Sequence, residues 1–228
     1  MGYFARLITL LLSILFSLYL VWFGLKSYGE NLPASDFQTE LVKKLKNRKE
    51  PTVWLPWDGS NSPEFTHISS YFLESQWRTG PSKEETTLLE AIQSLSPTTT
   101  ILLNINVNSP QALPALRAEL KSNGAWSRIV FCSRSDGILK DLRALEPEWT
   151  FCSGEIFMTR MLGLSSLGLQ SLNRISADIF FIHLNQLNLK SDLLVLIEEA
   201  RRQNKLTFLG PVSDIDTSYP ADGWVIKK

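Results

Sequence analysis

The stretch Ile101-Leu-Leu-Asn-Ile-Asn-Val-Asn108 decides the predicted fold. It is rich in Ile, Leu and Val, it lies between turn-prone residues, and a helical pattern follows it, which is typical of a buried parallel strand. Asn104, Asn106 and Asn108 have the same parity, so they share one face of this strand. Ligands of α/β folds bind at the carboxyl ends of the strands. The stretch therefore predicts one wall of a binding site, although amides that bond only to neighbouring loops would give the same pattern.

Strands and helices alternate regularly from Thr99 onward. The predicted strands are 99–107, 127–132, 149–152, 177–184, 205–210 and 222–227, and the predicted helices are 110–122, 135–145, 155–173 and 191–204. This alternation implies a parallel sheet with right-handed crossovers. With the short strand described next it predicts a TIM-barrel-like (β/α) domain, and an open doubly wound sheet is the alternative. No glycine-rich phosphate loop follows any strand, which disfavours nucleotide binding.

The first part of the domain has a less regular pattern. A short strand is predicted at 52–57, where Pro56 places it at a sheet edge or at the strand's end. The other predicted elements are three helices, at 36–47 with Ser35 as its cap, at 64–76 and at 83–95. One short strand cannot replace two, so we expect the barrel to be irregular or incomplete at its start. The helices would then cover the gap.

Composition disfavours some classes of protein. The 228 residues include 23 basic and 23 acidic side chains, and this zero formal net charge gives no electrostatic footprint for nucleic-acid binding. Two cysteines cannot form a disulfide framework. Cys132 and Cys152 each end a predicted strand in the same Phe-Cys-Ser context, and neighbouring strands lie about 4.8 Å apart. They can therefore pair in an oxidising compartment or remain buried thiols, and the sequence leaves both open.

Residues 7–25 (LITLLLSILFSLYLVWFGL) carry no charge and are long enough to cross a bilayer. The bulky residues at the end of the stretch differ from a signal-peptide cleavage site, so we expect an uncleaved anchor and a single-pass membrane protein. Positive charges on both sides leave its orientation open. The basic face at 43–49 is a solvated surface or lies against anionic headgroups. The chain thus divides into an anchor at 1–26, a linker with a basic helix at 27–50, and a barrel domain at 51–228.

Residues 87–228 resemble the later two-thirds of the glycerophosphodiester phosphodiesterase family, which has a TIM-barrel fold. The family's leucine-rich helix and following strand, which ends in Glu-x-Lys, are matched by TLLEAIQSL at 87–95 and LNINVN at 103–108. The next strand and its leucine–arginine helix are matched by IVFCS at 129–133 and LKDLRALEP at 139–147. The family's closing strand resembles ADGWVIKK at 221–228.

This resemblance implies a degenerate site. Family members hydrolyse glycerophosphodiesters with a divalent metal held by carboxylates, two histidines as acid and base, and an arginine on the phosphate. The metal-binding glutamate corresponds here to Asn106, the lysine to Asn108, and the His-Asp pair to Trp57-Asp58. Amides supply neither the charge that holds Mg²⁺ or Ca²⁺ nor a transferable proton. We therefore expect no cofactor, whereas an active enzyme would require a Mg²⁺ or Ca²⁺ ion.

The two histidines lie in different contexts. His183 ends a predicted strand and is a candidate for the site, whereas His67 is expected on the surface. Arg134 follows another strand and is suited to pairing with a phosphate. Outside candidates for catalysis are His183 and Asp58, and Glu155 and Asp214 would add carboxylates if their loops reached the site. The predicted ligand wall is Asn104, Asn106, Asn108, Ser133, Arg134, His183 and Asn185.

Three functions fit these observations. The leading one is a membrane-anchored pseudoenzyme that binds a polar headgroup, from a glycerophosphodiester or a phospholipid, or a protein partner. The second is a weakly active phosphoric diester hydrolase, and the third is a structural membrane-proximal domain. A measured ligand in the site separates the first two from the third, and turnover separates the first from the second.

Overall fold

The computed structural model describes residues 2–33, 38–59, 63–73, 76–80, 86–107, 110–187 and 190–227. Its helices are α1 Gly2–Glu30, α2 Glu40–Lys46, α3 Leu88–Ser94, α4 Leu113–Ser122, α5 Asp136–Leu145, α6 Glu155–Ser165 and α7 Lys190–Arg202. Its strands are β1 Thr52–Pro56, β2 Phe65–Leu73, β3 Gln76–Gly80, β4 Thr86–Thr87, β5 Thr100–Asn106, β6 Ile129–Cys132, β7 Thr150–Phe151, β8 Ile179–His183, β9 Leu206–Val212 and β10 Gly223–Ile226.

Eight parallel strands form a nearly closed barrel. Their order around the wall is β7-β6-β5-β2-β1-β10-β9-β8. The remaining seam, between β7 and β8, is bridged at Cys152 and Ile179 and by the Asp178 amide, which donates to the Phe151 carbonyl at 2.9 Å. The predicted TIM-barrel-like domain is confirmed, and the open doubly wound sheet is wrong.

The start of the barrel is irregular, as predicted, but it has no gap. The helix predicted at 64–76 is wrong, because this segment forms β2, the strand that pairs with both β1 and β5. Phe65, Ile68 and Phe72 have a spacing compatible with a helix, but aromatic and β-branched residues fit the pleated wall between two strands. After β2 the chain turns back through the antiparallel strands β3 and β4. The helix predicted at 83–95 begins only at Leu88, capped by Thr87.

Helix α2 closes one end of the barrel. It begins at Glu40, capped by the Thr39 hydroxyl, and not at residue 36; the predicted cap Ser35 lies outside the described residues. Leu41, Val42 and Leu45 are buried in the same cluster as the inward-facing side chains of the strands. Thr39 bonds to Thr150 at the start of β7, which places α2 at the amino-terminal ends of the strands. We call this end the base and the opposite end the mouth.

Aromatic side chains fill the barrel above α2. Trp54 is fully buried, and its ring centroid lies 5.1 Å from that of Phe65 and 5.5 Å from that of Phe208. Strand alternation sends these residues inward and their neighbours outward against the helices. The barrel interior is therefore filled with side chains at the base.

A disulfide joins Cys132 and Cys152 inside the barrel wall. Cys132 ends β6 and Cys152 follows β7, the neighbouring strand, so their Cα atoms are only 5.0 Å apart. Both side chains are buried in the interior cluster. The structure thus pairs the two cysteines that the sequence left as either a disulfide or free thiols.

Candidate binding site at the barrel mouth

A cavity of about 290 Å³ opens at the mouth. Its floor is apolar, formed by Leu102, Phe181 and Val225 together with Cys132 of the disulfide. The rest of its wall is mostly polar: His67, Ser69, Asn104, Ser133, Arg134, Ser153, Glu155, His183, Asn185, Pro211 and Lys227. Apolar space with a few convergent polar groups is typical of small-ligand sites.

Five of the seven predicted wall residues meet in this cavity: Asn104, Ser133, Arg134, His183 and Asn185. Asn106 lies one inward position beyond Asn104 but is exposed at the end of β5 and is not part of the cavity wall. Asn108 lies outside the described residues.

Of the three candidate carboxylates, one lines the cavity and two do not. Glu155 belongs to the cavity wall because α6 begins there, directly above the carboxyl end of β7. Asp58 and Asp214 are exposed and do not line the cavity. The prediction that Asp58 remains as part of a site therefore has no support in the geometry.

His67 lies in the cavity wall, and the expected surface position is wrong. Residues 65, 67 and 69 alternate along β2, which turns Phe65, His67 and Ser69 toward the barrel interior. This alternation is visible in the sequence, but it conflicts with the helix predicted at 64–76, which is why His67 was not expected in the site. Lys227, directly after β10, is a second cavity residue that the sequence analysis missed.

The ring of His67 is held by one hydrogen bond. Its Nε2 lies 2.8 Å from the Ile226 carbonyl oxygen, and since a carbonyl only accepts, Nε2 carries the proton. In the neutral ring Nδ1 is then the basic nitrogen. Burial lowers the pKa of His67 below its ordinary value, more than the bond to Ile226 raises it. His67 is therefore neutral near pH 7.

His183 is also neutral near pH 7. Burial is the main cause that lowers its pKa, Glu155 opposes this effect, and Arg134 adds to it. Its ring stands edge-on to Phe181, with centroids 4.6 Å apart. The mouth thus holds two uncharged imidazoles, each able to accept a hydrogen bond or a proton.

The serines of the wall support the backbone. The Ser133 hydroxyl donates to the Ile105 carbonyl at 2.9 Å and accepts from the Ser135 amide at 3.2 Å. The Ser153 hydroxyl accepts from the Phe181 amide at 3.0 Å. These bonds join neighbouring strands at the mouth, so Ser133 stabilises the wall and is a poor candidate for a direct ligand contact.

The mouth has a net positive charge of one, because Arg134 and Lys227 stand against Glu155 while the imidazoles are neutral. The Arg134 Nε lies 3.7 Å from a Glu155 carboxylate oxygen, which is longer than a good charged hydrogen bond. The Arg134 side chain is 80% exposed. An anion can therefore bind the Arg134 guanidinium at little cost in free energy.

The mouth does not fit a divalent cation. Across the described ranges, no three or more His, Cys, Asp or Glu side chains group closely enough to hold a metal ion. Glu155 is the one carboxylate in the described cavity wall. Mg²⁺ and Ca²⁺ sites are built mainly from anionic oxygen ligands, and Arg134 beside Glu155 repels a cation.

A larger cleft of about 390 Å³ lies outside the barrel wall, between α5 and α6. Basic side chains line it, but Arg143 among them is already bound to Asp178 at 2.8 Å. Its described lining contains no histidine, and the amide side chain that it does contain, Asn173, does not lie at the carboxyl end of a strand. We therefore place the candidate site at the mouth.

We expect acid to destabilise the domain partly through His67. The folded state resists protonation because its pKa is lowered, whereas the unfolded chain takes the proton at the ordinary value of 6.5. Well above pH 6.5 His67 is neutral in both states and has no effect on the pH dependence of stability. As the pH falls below 6.5, the unfolded chain binds the proton more strongly than the folded chain does, and the free energy of unfolding decreases. Urea unfolding of the full chain in mild detergent measures this effect at pH 7.5 and 5.5. Between these two pH values, the free energy of unfolding should decrease less for His67→Gln than for the unchanged chain. Equal losses would contradict the assignment of His67 as a buried neutral side chain.

The fold places the chain in the class of eight-stranded parallel (β/α) barrels, and its candidate site lies at the carboxyl ends of the strands. Solved glycerophosphodiester phosphodiesterases have this fold. The chain aligns with the enzyme from Agrobacterium tumefaciens at TM-score 0.52 and 9% identity, over 78% of this chain and 96% of that one.

Two further structures give the same result. A glycerophosphoryl diester phosphodiesterase from Parabacteroides distasonis aligns at TM-score 0.55 and 11% identity, over 86% of this chain and 89% of that one. One from Thermotoga maritima aligns at TM-score 0.53 and 12% identity, over 72% and 81%. No family model and no curated protein matches the sequence. The chain therefore has the glycerophosphodiester phosphodiesterase fold, as the resemblance predicts.

Proposed function

We propose that this chain is a membrane-anchored barrel domain whose mouth binds a phosphate-bearing polar headgroup without metal-dependent hydrolysis. The observation that carries this proposal is the composition of the cavity wall. It combines two cationic side chains, two neutral imidazoles and amides with one carboxylate. Such a wall is suited to an anion with hydroxyl groups, and not to a cation.

The charges favour a phosphodiester. A diester carries one negative charge, which matches the net positive charge of the mouth. The planar guanidinium of Arg134 can bind two phosphate oxygens at once, and Lys227 adds a second positive charge. Asn104 and Asn185 offer donors and acceptors for the hydroxyls of a glycerol or sugar unit.

A metal-free hydrolase is the second candidate. It is favoured by the presence of His67 and His183 in one cavity, both neutral near pH 7. The Nε2 proton of His67 is held by the Ile226 carbonyl, which leaves Nδ1 as a base, whereas the described residues include no group of His, Cys, Asp and Glu side chains that could hold a metal ion to polarise the phosphate. General acid–base catalysis contributes only about 10²–10⁴-fold, so this activity would be weak.

Membrane anchoring through α1 is part of the proposal. The helical segment Leu7–Glu30 contains an 18-residue window with a mean hydropathy of 2.2, and the segment is long enough to span a bilayer. A signal sequence would pass the same test. Retention is favoured because the end of α1 is bound to the barrel: the Trp22 indole donates to the Leu167 carbonyl at 2.8 Å, and Gly29 is buried.

Binding is tested by calorimetry with glycerophosphocholine, using the full chain in nanodiscs. Arg134→Gln should weaken binding about 10–150-fold, because a hydrogen bond to a charged group contributes about 1.5–3 kcal/mol. Arg160→Gln is the matched control, since this arginine lies in the outer cleft and not at the mouth. Equal affinities of the two variants, or no binding by the unchanged chain, would refute headgroup recognition at the mouth.

Hydrolysis of the same diester separates the two candidates. We expect no turnover with Mg²⁺ or Ca²⁺ beyond that in EDTA. Turnover of about 1–10³ s⁻¹ that EDTA abolishes would contradict the pseudoenzyme proposal. Slow turnover that EDTA leaves unchanged, and that both His67→Gln and His183→Gln abolish, would support the metal-free hydrolase instead.

A further inference from the structure

The end of α1 is fixed to the base of the barrel. The Trp22 indole donates to the Leu167 carbonyl, and a Cβ on Gly29 would lie 2.8 Å from the Leu172 amide nitrogen, so the helix backbone packs directly on this turn. Arg202, at the end of α7, donates to the Glu30 carbonyl at 3.2 Å. Residues 7–21 are exposed along their whole length, so the rest of α1 projects away from the domain.

These contacts all lie far from the mouth. The turn at 167–172 comes between α6 and β8, and Arg202 is the last residue of α7, four residues before β9, so both lie toward the amino-terminal ends of strands. The cavity lies at the carboxyl-terminal ends of the same strands. The helix that leaves the domain and the cavity that receives a ligand are therefore at opposite ends of the barrel.

The segment beside Trp22 has the composition of a membrane-contacting loop. Residues 161–173 carry no charge, and Arg160 and Arg174 flank them. Within it, residues 164–169, here called the leucine loop, present Leu167 with 60% of its surface exposed. Gly168 adopts φ +66°, and a Cβ there would lie 3.7 Å from the Trp22 ring, which shows how closely the loop follows α1.

The depth of Trp22 fixes the depth of the leucine loop. Trp22 precedes Leu25, the last residue of the uncharged stretch, by about 4.5 Å along the helix axis. Tryptophan prefers the membrane interface, where its N–H still needs an acceptor. The Leu167 carbonyl is that acceptor, so an α1 that spans a bilayer brings Leu167 to the boundary of the acyl chains.

We propose that the leucine loop is a second membrane contact, which enters the same bilayer that holds α1 and sets the barrel with its base on the membrane. Exposed basic side chains near the base, among them Lys43, Lys44 and Arg174, are then placed to meet lipid phosphates. The mouth faces the aqueous phase. Given the headgroup binding proposed above, on which this step rests, the ligand is a water-borne diester and not a lipid of the supporting bilayer.

The test places a fluorescent label on three exposed leucines of the full chain in liposomes. Leu167→Cys, Leu15→Cys and Leu194→Cys are labelled with an environment-sensitive dye without reductant, which leaves the buried Cys132–Cys152 disulfide unmodified. Leu15 reports the anchor. Leu194 is the matched control, because it is exposed in the first turns of α7, on the mouth side. Quenching by spin-labelled lipids is measured for each.

We expect strong quenching at Leu15 and Leu167 and none at Leu194. Quenching at Leu15 without quenching at Leu167 would overturn the loop contact and leave the anchor in place, whereas no quenching at Leu15 would overturn both. Quenching at Leu194 would place the mouth side against the membrane and overturn the orientation. None of these quenching results depends on headgroup binding. Calorimetry with glycerophosphocholine therefore tests the proposed function separately from the membrane contact of the leucine loop.

Discussion

Asp178→Ala is expected to lower the free energy of unfolding by about 3–5 kcal/mol, the usual cost of removing one partner of a buried ion pair. The Asp178 residue is 3% exposed, and one carboxylate oxygen accepts from Arg143 at 2.8 Å and from the Phe151 amide at 2.9 Å. Phe151 belongs to β7 and Asp178 directly precedes β8. The carboxylate therefore holds the seam at which the barrel closes.

The cost comes from the groups that are left behind. Alanine would leave the Phe151 amide without its side-chain acceptor and the guanidinium of Arg143 without its carboxylate partner. Burial raises the pKa of Asp178 more than Arg143 and the Phe151 bond lower it, so desolvation outweighs the attraction. Removing one charge is then more harmful than removing both, and Asp178→Ala combined with Arg143→Ala should cost less than the sum of the single changes.

Urea unfolding of the full chain in mild detergent measures this effect. Asp178→Asn keeps an acceptor for the Phe151 amide and should cost less than Asp178→Ala. Asp141→Ala, on the exposed side of α5, is the control and should change stability by less than about 0.5 kcal/mol. A loss below 1 kcal/mol for Asp178→Ala would show that this contact does not hold the seam.

Removing the disulfide has the second largest expected effect. Cys132 and Cys152 are separated by 20 residues along the chain. Closing a loop of that length restricts the unfolded chain by roughly 3 kcal/mol in the chain-entropy model. The double change Cys132→Ser and Cys152→Ser should lower the free energy of unfolding by about this amount, plus the cost of two hydroxyls in an apolar interior.

Cys132→Ala with Cys152→Ala separates the two contributions, since alanine adds no buried hydroxyl. Reduction of the unchanged chain with dithiothreitol should reproduce most of the alanine result. If neither reduction nor substitution alters stability, the cysteines do not pair in the folded protein. Alkylation of protein taken directly from membranes then shows in which compartment the barrel lies, because disulfides persist on the oxidising side.

The second half of the fold could be predicted because each element there is strongly patterned. The stretch around Asn104 has buried apolar residues on one face and amides on the other, and Ser135 caps α5 at the predicted start of that helix. The positions of Asn104, Ser133, Arg134, His183 and Asn185 at one mouth followed directly, since parallel strands end at the same side of a barrel.

The first half could not be predicted from local pattern. In β2 the inward face is polar, with His67 and Ser69, so the hydrophobic signal of a buried strand is weak. The same residues make β2 part of the mouth. The wrong prediction of a helix at 64–76 therefore missed both a strand of the barrel and a histidine of the site. The role of α2 as the closure of the base depends on distant contacts, such as Thr39 with Thr150, that no short window of sequence contains.

The pairing of β1 with β10 has a consequence for biosynthesis. Thr52 lies opposite Gly223, so two neighbouring strands of the wall are made at widely separated times. Translation must reach residue 226 before β1 gains its second neighbour, and until then the edges of β1 and β9 remain open to other strands. A nascent chain held at the membrane by α1 would thus carry an unfinished wall, and chaperones would have the longest access to it at those two edges.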